Sequence, residues 1–243
     1  MAARSLAARR AQALAIDAAL AAAYPESRCA LVHDSAFQLL VATVLSAQTT
    51  DAAVNRVTRR LFATYPDALA LATAPDGAVE TIINSIGLWR GKAKNIRAIA
   101  HLLLERHGGE VPRTLEALRA LPGVGKKTAT AVLGTAHGIP AGVTVDTHML
   151  RINRLLGLSR RRDAEGMANE LERLIPVSSW TSYTHRIIDH GRLVCVARRP
   201  RCGVCPLAPH CASALSARAG YKPHNDARLP ASAAGLSWNV VAA

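Results

Sequence analysis

The chain has 243 residues, carries a formal net charge of +13, and is 50% hydrophobic but only 4% aromatic. That apolar share excludes a disordered polymer, and the length suits one or two domains with cores of their own. The positive surplus suits a polyanion, nucleic acid first; a membrane surface also attracts cations, but no apolar run reaches the roughly 18 residues needed to span a bilayer, and the chain reads as a soluble protein.

Alanine and leucine dominate, and β-branched residues rarely alternate with polar ones, which predicts an all-α fold. The N-terminal run MAARSLAARRAQALAIDAALAAAYPES reads as an Ala-rich helix ending near Pro25; Asp17 interrupts any signal-type apolar core, although the early arginines faintly resemble a transit peptide. Ser35 is placed to cap a helix over 35–48, and Asp51 one over 51–65 that Pro66 ends. Short helices are expected at 67–72 and 77–86, then a loop, GLWRGK, then a helix from 93 that Gly108 and Gly109 stop. A short helix at 114–121 runs into a Gly-x-Gly turn, and an Ala-rich helix follows from 126 to about 138. Beyond the linker HGIPAGV, helices are expected at 146–156, 163–175 and 179–194. From 213 to 243 small residues without a sustained period read as a flexible tail.

Cys195, Cys202, Cys205 and Cys211 lie in CVARRPRCGVCPLAPHC, a C-x6-C-x2-C-x5-C run of 17 residues. Four thiols this close, in a chain with no export signal, point to a metal rather than to disulfides. The spacing alone leaves zinc and a 4Fe–4S cluster open, since it matches neither paired zinc knuckles nor ferredoxin runs. Cys29 stands apart and reads as a small buried apolar residue.

The stretch LPGVGKKTA poses an electrostatic question, because Lys126 and Lys127 open a helix whose N-terminal end already carries about half a positive charge. Leu121, Gly123 and Gly125 shape a turn in which glycines allow positive φ and bare backbone, so the N–H groups there can approach a phosphate. The phosphate supplies the anion that the helix end favours. A positive helix end, a neighbouring lysine and partial desolvation together disfavour an ammonium, and a neutral lysine amine is a nucleophile. Asp146, in TVDTHML, is either an ordinary N-cap or a carboxylate placed to stabilise developing positive charge.

These motifs together, with LSAQTTD, IGLWRGKAKNI and GEVP, resemble the endonuclease III family of DNA glycosylases over most of the chain, from about Phe37 to Cys211. The resemblance implies two helical domains with a DNA-binding cleft between them, a helix-hairpin-helix motif at LPGVG, and a C-terminal 4Fe–4S loop ligated by the four cysteines. It implies one domain over residues 29–140 and another combining 1–28 with 141–212, the catalytic pair lying at their seam. Lys127 matches the nucleophile position, Asp146 the carboxylate, and Lys126 a basic residue beside the hairpin.

By the same resemblance, Gln48 and Leu88 fill and wedge the gap left by an extruded base, and Trp89 stands where tyrosine is more usual. Arg198, Arg199 and Arg201, held between two ligands, face DNA, and His148 is structural with a DNA-side role. The implied activity is excision of oxidised or ring-saturated pyrimidines from double-stranded DNA, and cleavage at abasic sites, by a monomer in the cytoplasm at the nucleoid. Rival readings are a mismatch glycosylase, for which the tail is too short, a non-catalytic DNA-binding module, and a zinc-bearing structural or RNA-binding protein.

Overall fold

The computed structural model describes residues 5–217. In chain order the helices are α1 (Leu6–Ala23), α2 (Ala36–Leu45), α3 (Asp51–Thr64), α4 (Ala68–Ala72), α5 (Ala78–Ile83), α6 (Trp89–His107), α7 (Leu115–Arg119), α8 (Lys126–His137), α9 (Thr147–Leu156), α10 (Ala164–Glu172), α11 (Trp180–Leu193) and α12 (Ala212–Ala217). Among the described residues there is no strand, and no helix is long and apolar enough to cross a membrane. The chain divides into two compact units, Cys29–Ala141 on the one hand and the segments before Cys29 and after Ala141 on the other.

Within Cys29–Ala141, α2 is the central element. Leu39, Leu40, Val41, Ala42 and Leu45 are all buried, so it is apolar around most of its circumference, as a helix enclosed by others must be. It packs on α3, α6 and α8, while α4 and α5 lie against α6. Ser35 caps α2 by accepting from the Gln38 N–H. The α3 cap is Thr50, not Asp51: its hydroxyl accepts from the Ala53 N–H, which leaves Asp51 in the first turn, where a carboxylate complements the helix dipole. The expected loop at 87–92 is also corrected. The helix begins at Trp89, because Lys92 and Ala93 are buried and the Lys92 N–H already bonds the Leu88 carbonyl. Cys29 is half-buried and packs on this core rather than inside it.

In the other unit, α1, α9 and α11 enclose Ile16, Leu20, Met149, Ile152, Tyr183 and Ile187. Here the tail expectation fails at its start. Residues 212–217 form α12, which lies on α9, and the Ser213 hydroxyl donates to the Leu155 carbonyl at 2.9 Å. The remainder of the expected tail lies outside the described residues. At the centre of this unit the Tyr183 hydroxyl donates to Asn153 Oδ1 at 2.6 Å, and Asn153 Nδ2 donates to the Met149 carbonyl at 2.9 Å. Tyr183 and Asn153 are both fully buried, so neither partner can be replaced by water. Tyr183→Phe therefore leaves Asn153 Oδ1 without its donor and should lower stability by about 1–3 kcal/mol. Urea unfolding of the variant beside the parent measures the difference.

Candidate functional site

The glycine turn joins α7 to α8. Leu121 and Val124 are buried in the core and anchor it from below. The side chain of Leu121 thus holds the turn, and what the turn offers outward there is backbone. Gly123 has φ +73°, the left-handed region that favours glycine, and a Cβ there would also displace the Asn95 amide on α6, whose Nδ2 would lie 2.5 Å away. Gly125 differs from expectation. Its φ is −81°, and its value is openness, since a Cβ there would meet nothing within 4 Å.

No side chain caps α8, so its first N–H groups are not satisfied from the cap residue, and Lys126 and Lys127 are exposed on its opening turn. The partial desolvation expected of Lys127 is thus not provided by packing of the protein itself.

Two further loops of this unit share one property. Gln48, at φ 53°, and Leu88, at φ 58°, are the only non-glycine residues with positive φ among the described residues. Left-handed backbone costs such residues roughly 1–2 kcal/mol, and strain of this kind concentrates at working sites. Gln48 is exposed, and Leu88 is 65% exposed despite being apolar. The loops are tied together, because Lys92 Nζ donates to the Thr49 hydroxyl at 2.8 Å. Lys92 is buried, and burial pushes its ammonium below the usual lysine range. A groove of about 520 Å³ runs beside them, lined by Leu88, Trp89, Lys92 and Asn95 among others. Trp89 packs partly on the core and carries the Arg90 guanidinium 4.1 Å from its ring centroid, so it braces the loop and holds a cation there.

In the other unit, Asp146 is half-buried and caps α9, its Oδ1 accepting from the Met149 N–H at 2.8 Å. One oxygen is thus occupied by the cap. His148 packs against α11 at Gly191, where a Cβ would lie 2.5 Å from its Nδ1, and that nitrogen is buried without a partner. A groove of about 630 Å³ beside α9 is lined by Arg151, Arg154, Arg160 and Arg162 and by no acidic side chain. This groove leaves no motif in the sequence, since its arginines lie on α9 and on the turn after it.

The four cysteines surround a cavity of about 130 Å³ whose other lining includes Ile152, Leu155 and Leu207. All four thiols are unpaired and half-buried. Burial, with the other cysteines close by, pushes Cys202 up and Cys205 up to about 12; burial also raises Cys195, against the opposing pull of Arg151. Thiolates here therefore require a positive centre in the cavity. No three His, Cys, Asp or Glu side chains among the described residues converge closely enough for a single ion. A cage of soft sulfur donors set around a cavity fits a multi-iron group rather than one zinc.

The shell around these sulfurs was invisible in the sequence: Arg151 donates to the Cys195 carbonyl at 2.6 Å and to its Sγ at 3.5 Å, and His190 Nε2 lies 3.6 Å from Cys205 Sγ. In the loop between the first two cysteines, Arg198 and Arg199 are exposed. Arg201 is not. It is half-buried, and its guanidinium donates to the Leu193 carbonyl at 3.3 Å.

Residues 41–177 match the HhH-GPD superfamily of base excision DNA repair proteins, and residues 195–211 match the iron-sulfur binding domain of endonuclease III. Endonuclease III of Synechocystis sp. is 47% identical over 87% of this chain and 96% of its own length. Two solved structures cover 86% of this chain and 98% of theirs. One is a non-covalent endonuclease III–DNA complex, at 41% identity and TM-score 0.79, and the other is a trapped endonuclease III–DNA covalent intermediate, an estranged-adenine complex, at 40% and 0.78. The cofactor is accordingly a 4Fe–4S cluster. With half of its length inside the superfamily match and a relative this similar end to end, the chain belongs to the endonuclease III family.

Proposed function

We propose that the protein is a bifunctional DNA glycosylase and AP lyase of base excision repair, with Lys127 as the nucleophile. The observation that carries this reading is an exposed lysine on the uncapped first turn of the hairpin helix, in a chain that belongs to the endonuclease III family. The partner is double-stranded DNA, and the substrates are oxidised or ring-saturated pyrimidines and abasic sites. The net charge of +13, the exposed Arg198 and Arg199, and the acid-free arginine groove support a phosphate-rich partner. The chain acts as a monomer, in the cytoplasm at the nucleoid.

The damaged nucleotide leaves the stack before its sugar can be attacked. The hairpin backbone, from Gly123 to the first N–H groups of α8, holds a phosphate without reading sequence. The duplex closing over the hairpin supplies the desolvation that the free protein does not give Lys127. Its amine forms a bond to C1′, the C1′–base bond breaks, and the sugar ring opens to a Schiff base. Loss of a proton from C2′ then expels the 3′ phosphate, cutting the strand. Asp146 stabilises the positive charge that develops at the sugar. Gln48 and Leu88, held in strained backbone, occupy the space that the extruded base leaves. Cys195, Cys202, Cys205 and Cys211 ligate the 4Fe–4S cluster, which supplies structure and a fixed loop for DNA docking.

Borohydride reduction of a mixture with an abasic-site duplex should trap a protein–DNA adduct, visible on a denaturing gel and absent for Lys127→Gln. A parent protein that binds the duplex without forming an adduct would instead be a monofunctional glycosylase or a binding module. Duplexes carrying a ring-saturated pyrimidine or an oxidised purine, run in parallel, test the substrate class.

Asp146→Asn separates the two roles of that residue, because asparagine caps helices as well as aspartate does. The variant should unfold at the parent temperature yet lose about 100-fold or more in adduct formation, in line with the loss of one electrostatic stabiliser. Equal activity would leave Asp146 as a cap alone.

Leu88→Gly relieves left-handed strain and removes a side chain that is 65% exposed, so stability should not fall. Excision of a damaged base should nonetheless drop, while cleavage at a preformed abasic site, which needs less extrusion, falls less. Single-turnover rates on the two duplexes measure the split.

A further inference from the structure

We propose that Tyr24 and His190 form a positioning relay that keeps an N–H···S hydrogen bond on Cys205 and thereby sets the reduction potential and the retention of the iron–sulfur cluster. The inference rests on Cys205 being a cluster ligand. His190 lies on α11 and is 1% exposed, with Nε2 3.6 Å from Cys205 Sγ and Nδ1 2.8 Å from the Tyr24 hydroxyl oxygen. Tyr24 is the residue that ends α1, is also 1% exposed, and meets the His190 ring edge-on with centroids 5.8 Å apart.

The chemistry of the three groups fixes the direction of the chain. A ligating thiolate has no hydrogen to give, so the Nε2 contact is a hydrogen bond only if Nε2 carries the proton. Nδ1 of the neutral ring is then an acceptor, and the Tyr24 hydroxyl must donate to it. The phenol of α1 therefore selects the tautomer that serves a sulfur at the far end of the sequence. Donation to a ligating sulfur draws electron density from the cluster and favours its more reduced state, so the potential is higher with the bond than without it. Arg151 plays a comparable part on Cys195 from α9, through its 3.5 Å contact with Sγ. Two of the four sulfurs are thus approached by donors from separate helices.

Tyr24 is the informative position, because Tyr24→Phe removes one hydroxyl, keeps the ring in the core, and touches no ligand. The test uses the purified holoprotein of the parent, Tyr24→Phe, His190→Leu and His190→Gln. It measures the decay of the cluster's visible absorbance in excess chelator and its potential by film voltammetry. The expected result is a lower potential and roughly 10-fold faster loss for His190→Leu, as for other partners of metal ligands. Tyr24→Phe should shift both readouts the same way by less, and His190→Gln, whose amide can donate again, should recover part of each. Parent-like potential and decay in Tyr24→Phe and in any soluble His190→Leu protein would overturn the relay. A parent protein without the broad visible absorbance of an iron–sulfur cluster would overturn the cluster reading itself.

Discussion

A thiolate buried in an apolar shell needs a positive centre beside it, and the unit that combines both ends of the chain is organised around that requirement. Four cysteines from a short segment are turned toward one cavity, closed by the apolar side chains of α9 and by Leu207. The segment has little regular structure of its own beyond single 3-10 turns at Cys202–Val204 and Ala208–His210. Such a loop buries little apolar area of its own, so a bound iron–sulfur group would take the place of the missing core. The neighbouring helices contribute hydrogen bonds rather than bulk. Arg151 from α9 reaches the carbonyl and sulfur of Cys195, and Gln12 from α1 donates to the His210 carbonyl at 2.7 Å. The loop between the first two cysteines presents Arg198 and Arg199 to solvent.

The unit Cys29–Ala141 uses the opposite device. Its core is conventional, built on a helix apolar on nearly every side, and that rigidity supports strain at the surface. Gln48 and Leu88 sit in backbone that their side chains disfavour, and the structure around them over-determines it. The buried Lys92 bonds the residue after Gln48, while its own N–H bonds the carbonyl of Leu88. One lysine therefore ties both loops, which explains why a cation is retained at a position that desolvation penalises.

Much of this was legible in the sequence, and the failures have physical causes. The cysteine spacing, the glycine turn and the N-caps at Ser35 and Asp146 are local signals, and local signals survive without a structure. The start of α6 was misplaced because GLWRGK carries two glycines and an exposed leucine. Burial of Lys92 and Ala93, a tertiary effect, outweighs the propensity of those glycines. The turn's glycines are legible in sequence, whereas the anchoring of Leu121 in the core and the bond from Arg201 to the Leu193 carbonyl emerge only from packing. Arg151 and His190 were missed altogether, since a residue that serves a ligand through space leaves no spacing rule in the chain.

The two lysines that open α8 remain the most instructive violation of a local rule. An N-terminus lacking a side-chain cap and followed by two cations is unfavourable for the isolated helix, by roughly 0.3 to 1 kcal/mol for each charge. Nothing in the fold of that unit offsets the cost by burial, because both lysines are exposed. An anionic ligand at the uncapped N–H groups offsets that cost, and a phosphate is such a ligand. The feature that weakens the free helix is thus the one that suits this turn to a phosphate-bearing partner.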